Sequence, residues 1–327
     1  MRFKTLASWG VAAVAATVLP FTAQADYPER AVTLVAPYGA GGSADLAGRA
    51  LAESASKYLG QPAQVVNRTG AGGVTGSAYV SRSDPDGYNL LVARVGSNAV
   101  TPALDTTIPY EWDDFTFLGL LEENPYVIVV HNESPYETLQ DLVDAIEENP
   151  GSLTYSTSGP GTILNMGPQM LFRAAGFDSH AATMIPYDGG GEARTALVGQ
   201  HVDFLGINLA PVLNDIRDGT LRALSVSTQE RYEEIPEVPT ASEAGYPELH
   251  AILGWTALFG PPDLPDAVVQ KWAEVLHQVS EDDEWVDRTR RLGSVPRILD
   301  PDETADFVEE QFAVYRELGE ALDLIID

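Results

Sequence analysis

The hydrophobic positions of this chain alternate between short β-branched runs and longer segments with helical spacing. The first run, residues 31–36, is followed by the glycine-rich turn 39–42 and then by a helical pattern over residues 43–59. Such a strand–turn–helix junction presents unpaired backbone N–H groups and the positive end of a helix dipole, both of which favour an anion. The pattern therefore predicts an anion-binding loop at this junction.

The same junction occurs a second time further along the chain. A strand is predicted at residues 63–66, a second glycine-rich turn at 70–73 and a helix at 74–81. Strands that alternate with helices predict a mostly parallel sheet, in which ligands bind beyond the carboxyl ends of the strands. Both glycine-rich turns are expected at that edge, as is the turn 96–98 after a third predicted strand at 88–93.

Two further apolar runs predict strands that cross between two lobes. Run 126–130 follows run 117–121 after a polar break at 122–124, and run 251–259 is the expected return crossing. The chain of 327 residues is also longer than a single hydrophobic core usually supports. We therefore predict an α/β protein of two interleaved lobes, with residues 26–124 plus 252–327 in lobe 1 and residues 125–251 in lobe 2.

The segment between the crossings repeats the order of strand, small-residue loop and helix. Ser134 is expected to open a helix that carries Pro135 in its first turn and buries an apolar stripe. The stripe consists of Leu139, Leu142, Val143 and Ile146. Strands are predicted at residues 153–156, 201–207 and 221–227, and small-residue loops at 158–162 and 187–191.

Residues 1–25 have the pattern of a secretory signal peptide. Arg2 and Lys4 form a basic start, residues 11–19 an apolar middle and residues 23–25 a small-residue cleavage site. A membrane anchor is the alternative, but the apolar part is short for a bilayer span. We expect export, with cleavage after Ala25.

Acidic residues dominate the charge of the chain, with 48 Asp and Glu against 19 Lys and Arg. Cleavage would remove Arg2 and Lys4, which leaves 17 basic residues, a net charge of −31, and only Lys57 and Lys271 as lysines. This balance makes nucleic acid and anionic membrane surfaces poor partners, and we predict no binding of nucleic acid. It favours adaptation to high salt, where the Debye length falls to about 3 Å at 1 M and self-repulsion is screened. Ordinary solubility is the alternative explanation.

Several classes of chemistry are excluded by what the sequence lacks. Without cysteine there is no disulfide, thiolate metal site or thiol nucleophile. The five histidines include no pair at metal-ligand spacing. No Walker lysine or G-x-S-x-G elbow is present, and Ala44 stands where a dinucleotide-binding loop carries its third glycine. We predict no metal and no cofactor.

Seven segments in a fixed order carry a resemblance to a known family. They are PYGAGGSAD, NRTGAGG, DPDGYNLLVA, LTYSTSGPGT, IPYDGGGEARTALVGQHVDF, GTLRALSVSTQER and IPEVPTASEAGYP, preceded by Tyr27-Pro28. Over essentially the whole mature chain, the sequence resembles the substrate-binding proteins of tripartite tricarboxylate transporters, also called Bug-type periplasmic receptors. The family usually has proline where this chain has Ala40.

The resemblance implies a type II periplasmic-binding-protein fold, with two α/β lobes joined by two crossing strands and a ligand cleft between them. Ligands in the family are small organic carboxylates, among them di- and tricarboxylates, acidic amino acids and aromatic acids. Backbone N–H groups of the glycine loops hold the carboxylate. Such a receptor delivers its ligand to a two-subunit membrane permease and performs no chemistry, and we expect it to be a periplasmic monomer.

In lobe 1 the predicted ligand-binding residues belong to three loops. Glycine lets the backbone approach an anion closely, and the Ser43 hydroxyl can donate to it or cap the helix. Asp45, in the first helical turn, either interacts with the helix dipole or accepts from a bound water or ammonium group. Arg68 either reaches the ligand or forms an outward salt bridge. The predicted residues are Tyr38, Gly41, Gly42, Ser43, Asp45, Gly72, Gly73, Ser97 and Asn98.

In lobe 2 the predicted residues meet the ligand from the opposite side. They are Ser158, Gly159, Thr162, Asn165, Tyr187, Gly189 and Asn208. The neutral amide of Asn208 tolerates a carboxylate at a strand end, whereas Tyr187 either lines the cleft or packs in the core.

One function of another class stays open: a secreted α/β hydrolase that uses the same cleft. It would require a nucleophile beside a base. No Ser–His arrangement follows from the spacings in the sequence.

Overall fold

The structure is a computed structural model that describes residues 27–321 and 324–326. The predicted signal peptide, residues 1–25, and its cleavage point lie outside these residues. In chain order the strands are β1 (Val32–Ala36), β2 (Ala63–Asn67), β3 (Asn89–Arg94), β4 (Thr116–Asn124), β5 (Tyr126–His131), β6 (Thr154–Thr157), β7 (Thr183–Pro186), β8 (Phe204–Asn208), β9 (Leu221–Val226), β10 (Gly254–Gly260) and β11 (Val295–Pro296). The helices are α1 (Ser43–Leu59), α2 (Val74–Ser81), α3 (Thr101–Leu104), α4 (Leu139–Glu148), α5 (Ile163–Ala174), α6 (Gly190–Val198), α7 (Leu213–Arg217), α8 (Asp266–Ser280), α9 (Asp283–Arg291) and α10 (Pro301–Ala321).

The strands form two sheets, and each sheet is the centre of one α/β lobe. Lobe 1 contains the sheet β11-β4-β10-β3-β1-β2, and lobe 2 contains the sheet β7-β6-β8-β5-β9. Strand β1 runs parallel to β2 and β3, and β6 runs parallel to β7 and β8. Helices cover these parallel strands, so strands such as β3 and β8 are almost entirely buried.

Two strands carry the chain from one lobe to the other. Strand β5 follows β4 after the single residue Pro125, and β10 brings the chain back from lobe 2. Each arrives from the cleft side and therefore runs antiparallel to its neighbours, β5 beside β8 and β10 beside β3. The carboxyl ends of the parallel strands in both sheets consequently face the same cleft, as the sequence pattern predicts.

The predicted polar break at residues 122–124 is wrong, because β4 continues through it to Asn124. Glu122 and Asn124 pair with Thr256 and Gly254 of β10, so the ladder satisfies their backbone groups. Both polar side chains are buried. The return crossing also begins later than expected: residues Pro247–Ala251 form a 3₁₀ turn, and the strand starts at Gly254.

The helix expected to open at Ser134 begins instead at Leu139. Thr138 caps it, because its hydroxyl accepts from the Asp141 amide while the Asp141 carboxylate accepts from the Thr138 amide. This reciprocal cap satisfies two backbone N–H groups at the start of the helix. The predicted stripe is confirmed, since all four apolar side chains are buried.

The segment after β3 differs most from its prediction. Residues Gly96–Val100 form a π-helical turn that runs directly into α3, rather than the turn expected at the cleft edge at 96–98. The whole segment is buried. Strands β7 and β11 and helix α7 have no counterpart in the sequence prediction, since each is five residues or shorter and shows no clear period.

Candidate functional site

Three helices begin at one small cavity between the lobes, here called the inner cavity. Helix α1 contributes Ser43 and Ala44, α5 contributes Ile163 and Leu164, and α6 contributes Gly190. First-turn N–H groups have no partner within their own helix, and each helix places its positive dipole end here. The cavity measures 30 Å³, close to the volume of one water molecule in the liquid. It can hold one compact anionic group.

Residues from both lobes line the inner cavity. They are Tyr38, Gly42, Ser43, Ala44, Arg94, Val95, Gly96, Ser158, Thr162, Ile163, Leu164, Gly190, Ile207 and Asn208. Six of these were predicted from the sequence: Tyr38, Gly42, Ser43, Ser158, Thr162 and Asn208. Lobe 1 and lobe 2 thus contribute three each.

Asp45 braces the first glycine loop. Its carboxylate accepts from the Gly41 amide at 3.0 Å and from the Arg49 guanidinium at 2.8 Å. Burial opposes ionisation of Asp45, but these hydrogen bonds outweigh it and lower the pKa of the carboxyl. Gly42, not Ser43, is the N-cap of α1, and no side chain caps it. Asp45 therefore shapes the loop from behind and does not line the cavity.

Tyr38 connects the two glycine loops of lobe 1. Its hydroxyl donates to the Gly72 carbonyl at 2.8 Å, and burial raises the pKa of this phenol to about 12, so it remains a donor. A Cβ atom on Gly73 would lie 2.8 Å from Tyr38 Cζ, and one on Gly96 would lie 2.6 Å from the hydroxyl. Glycine at both positions therefore makes room for the ring. The Gly73 amide itself donates to Gly70 at 3.1 Å and is not free for a ligand.

The cleft is closed, and backbone atoms take part in several contacts between the lobes. The Gly39 amide donates to the Asp188 carbonyl at 3.3 Å, and the Thr101 hydroxyl donates to the Gly161 carbonyl at 2.8 Å. A Cβ atom on Gly189 would lie 2.7 Å from the Gly39 nitrogen. Gly189 thus belongs to the contact between lobes rather than to the cavity lining.

Arg94 is a cavity residue that the sequence reasoning missed. It ends β3, only 4% of it is exposed, and it lines the inner cavity. Its guanidinium donates to Asn124 Oδ1 at 2.6 Å, to Asn208 Oδ1 at 2.7 Å and to the Thr256 hydroxyl. Burial lowers the pKa of Arg94 to about 10, so it stays charged at neutral pH. It adds a full positive charge beside the three helix ends.

Glu122 is the counter-charge of Arg94. Its carboxylate accepts from Asn124 Nδ2 and from the Thr256 hydroxyl, both at 3.0 Å. Burial raises the pKa of Glu122, and Arg94 opposes that shift. We call Arg94, Glu122, Asn124, Thr256 and Asn208 the hinge network, since they lie where the crossing strands leave and enter the sheets.

Ser97 and Asn98 lie behind Arg94 rather than in the cavity lining. Asn98 Oδ1 accepts from the Arg94 amide at 3.2 Å and from the Ser97 hydroxyl at 2.8 Å. Both side chains are fully buried. Because the segment is helical, these side chains support the end of β3 and do not project from a turn as predicted.

A larger groove of 930 Å³ lies outside the inner cavity. Residues from the segments 70–74, 101–109, 158–165, 186–188 and 324–326 line this outer groove. Five predicted residues lie there: Gly72, Ser158, Gly159, Asn165 and Tyr187. The Asn165 side chain is already engaged, since its Oδ1 accepts from Tyr155 at 2.6 Å and its Nδ2 donates to Pro160 at 2.8 Å.

Arg68 faces away from both sites. It is exposed, and its guanidinium carbon lies 3.6 Å from the centre of the Tyr79 ring. Gly41 is also exposed, on the outer side of its loop. Of the predicted residues, Gly41, Asp45, Gly73, Ser97, Asn98 and Gly189 line neither the inner cavity nor the outer groove.

Within residues 27–321 and 324–326, no cluster of three or more His, Asp or Glu side chains is arranged to hold a metal ion. The helices described there also include none that is long and apolar enough to cross a membrane.

A family model and individual proteins of known sequence both match this chain over most of its length. Residues 47–324 match the family model described as the tripartite tricarboxylate transporter family receptor. The protein of the TAR-I ttuE-ttuC' intergenic region of Agrobacterium vitis is 36% identical over 86% of this chain and 81% of its own. BugT of Bordetella pertussis is 31% identical over 90% of this chain and 91% of its own.

Solved structures agree in fold. The periplasmic binding protein BugD matches with a TM-score of 0.86 and 29% identity, over 91% of this chain and 99% of that one. MatC from Rhodopseudomonas palustris with bound malate matches with a TM-score of 0.83 and 28% identity, over 89% and 99%. A second R. palustris protein, with adipate, matches with a TM-score of 0.85 and 25% identity, over 91% of this chain and 99% of that one. The chain therefore has the periplasmic-binding-protein fold and belongs to the tripartite tricarboxylate transporter receptor family.

Proposed function

We propose that this protein captures a small organic carboxylate in the periplasm and delivers it to a two-subunit membrane permease. The observation that carries the proposal is the convergence of three helix N-termini and Arg94 on one cavity between two lobes. Backbone N–H groups and helix dipoles favour an anion, and the cavity size suits a carboxylate group. Relatives with bound malate and adipate support the same class of ligand.

Binding would proceed by closure of the two lobes around the ligand. In the open cleft, the first-turn amides of α1 offer donors to the carboxylate. Closure adds the first-turn amides of α5 and α6 and forms the Thr101–Gly161 hydrogen bond between the lobes. Arg94 strengthens the attraction through its charge, because its N–H donors are directed largely at Asn124, Asn208 and Thr256.

A thermal-shift screen with carboxylates, followed by calorimetric titration, tests the proposal. A bound acid at 100 times its Kd should stabilise the protein by about 2.7 kcal/mol. Gly42→Val should abolish binding without unfolding the protein, because Gly42 has an ordinary φ of −81° and its Cβ position lies 3.5 Å from the amide nitrogens of Gly190 and Gly191.

Ala40→Val is the matched control, since this exposed side chain lies in the same loop and outside the cavity. It should leave the affinity unchanged. Binding that survives Gly42→Val would contradict the role of the glycine loop.

A hydrolase remains the second candidate, and one contact bears on it. Ser242 Oγ lies 2.7 Å from His250 Nε2, and His250 Nδ1 lies 2.7 Å from the Ser227 carbonyl oxygen. That carbonyl can only accept, so Nδ1 carries the proton and Nε2 accepts from the serine, as in a nucleophile–base pair. Neither residue lines the inner cavity or the outer groove, however. We infer that the protein performs no chemistry in its cleft, and turnover of any bound carboxylate would overturn this.

We further propose the lobe boundaries 26–124 with 252–327, and 125–251. The distribution of the strands supports them, because β5 to β9 belong to one sheet and the remaining strands to the other. We also propose that the signal peptide is cleaved after Ala25 and that the mature receptor is a monomer. Intact mass and light scattering of the exported protein test both statements.

A further inference from the structure

The inner cavity is too small for a whole organic acid, whereas the outer groove beside it is not. The groove measures 930 Å³, within the range of small-molecule sites, against 30 Å³ for the cavity. Ser158 lines both. Backbone of the two lobes meets beside them, since a Cβ atom on Gly159 would lie 3.6 Å from Gly72 Cα. The groove is the adjoining space with room for the remaining atoms of an acid whose carboxylate occupies the cavity.

The chemistry of the groove differs from that of the cavity. Its walls include the apolar side chains of Val74, Leu104 and Ile108 and the half-buried ring of Tyr187. The charged residues that line it are Asp105 and Asp188, and no lysine or arginine of the described chain does so.

Asp105 is held in place by its neighbour Thr107. Its Oδ1 accepts from the Thr107 amide at 2.9 Å and from the Thr107 hydroxyl at 2.6 Å. A second carboxylate on the ligand would therefore meet like charge here without a cationic partner.

We propose that the outer groove holds the body of the ligand, and that this body is apolar and carries no second negative charge. The receptor thus selects a monocarboxylate over the dicarboxylate of the same length. This selection rests on the proposed function, and it distinguishes the chain from the relatives that hold malate and adipate.

Calorimetric titration of the purified receptor with two matched pairs tests the selection. The pairs are hexanoate with adipate and 4-methylbenzoate with terephthalate, which differ mainly in the second carboxylate. We expect the monocarboxylate of each pair to bind at least about tenfold more tightly. Equal affinity, or a preference for the dicarboxylates, would overturn the selection while leaving the proposed function intact. Failure of all four acids and of a wider carboxylate screen would overturn both.

A double variant isolates the cause. Asp105→Asn with Asp188→Asn keeps the shape of the groove and removes both negative charges, so the affinity for adipate relative to hexanoate should rise about tenfold. The matched control is Asp287→Asn with Asp306→Asn, two exposed acids on α9 and α10 that change the net charge equally. A comparable rise in the control would assign the effect to overall charge and overturn the role of the groove.

Discussion

Individual residues around the inner cavity act mostly by holding backbone in place. Tyr38 hydrogen-bonds one glycine loop from another, and Asp45 accepts from the amide of Gly41. The backbone of the glycine loops beside the cavity is therefore held in place by side chains. Such preorganisation lowers the entropy lost on binding.

Asp45→Ala tests this support at the scale of one residue. The change removes the acceptor for Gly41 and the partner of Arg49, so the free energy of unfolding should fall by about 1–2 kcal/mol. Because the pKa of folded Asp45 lies below its unfolded value of about 3.9, the contribution is complete at neutral pH. It is lost as the pH falls through the folded pKa. Urea unfolding at pH 7 and pH 3 measures the difference, with the exposed Asp287→Ala as control.

An equal loss of unfolding free energy at both pH values, or no loss at pH 7, would contradict the proposed support of the glycine loop by Asp45.

The glycine loops could be predicted as parts of the site, although Gly41, Gly73 and Gly189 within them line neither space, but Arg94 could not be predicted. A glycine turn between a strand and a helix presents free backbone N–H groups to an anion. This rule predicts Gly42 and Ser43, and both line the inner cavity. An arginine at the end of an apolar strand has no such signal, because nothing in its neighbours shows that Asn124, Thr256 and Asn208 will surround it. Its partners come from three other strands, distant in sequence.

At the scale of elements, the hinge network joins the crossing strands to both sheets. Arg94 ends β3, Thr256 lies in β10, and Asn208 ends β8 in the other lobe. Glu122 adds a buried acidic group from β4, and burial raises the pKa of its carboxyl. The crossing strands are therefore joined to both lobes by a buried set of hydrogen bonds around Arg94.

A double-mutant cycle tests the network. Arg94→Gln leaves Glu122 as an uncompensated buried acid, so the free energy of unfolding should fall by about 3–5 kcal/mol. Adding Glu122→Gln removes the buried acid that has lost its partner. The double variant should therefore regain a substantial part of the lost free energy of unfolding, because two neutral side chains leave no unpaired charge. Urea unfolding of the single and double variants provides the coupling energy. If the two losses simply add, the pairing is not the stabilising feature.

Elements with a long, regular period were predictable, and short or polar ones were not. Helix α1 and the stripe of α4 follow from helical spacing, whereas β7, α7 and β11 are too short to show a period. The sequence predicts that the run before the crossing ends at residue 121, because the polar residues Glu122 and Asn124 are typical of a loop. They are buried strand residues, and only their tertiary partners explain why.

Direct hydrogen bonds between the lobes accompany closure of the whole molecule. The Thr101–Gly161 hydrogen bond is one of them, so Thr101→Val should weaken ligand affinity about two- to tenfold. Thr106→Val, an exposed neighbour, is the control. Titration with any acid that binds the unmodified receptor gives the comparison, and an unchanged Kd would assign closure to other contacts.

The acidic balance of the chain also acts on the whole molecule. With 48 acids against 19 basic residues, self-repulsion opposes the compact state and is reduced by screening. The thermal midpoint should therefore rise as NaCl increases from about 0.1 M to 1 M, where the Debye length shortens from about 10 Å to 3 Å. A matched series in sodium sulfate separates screening from general salting-out. A flat or falling midpoint in NaCl would favour ordinary solubility over adaptation to salt.

The contact surface between the lobes has a consequence for how such receptors evolve. Gly39 meets Asp188 through backbone atoms, and Gly72 meets Gly159 in the same way, whereas Val74 and Ile108 line the outer groove with their side chains. Exchanges at Val74 or Ile108 therefore leave these backbone contacts between the lobes in place. A lineage of such receptors can therefore change which acid it collects through a few groove mutations, while the closing movement is inherited unaltered.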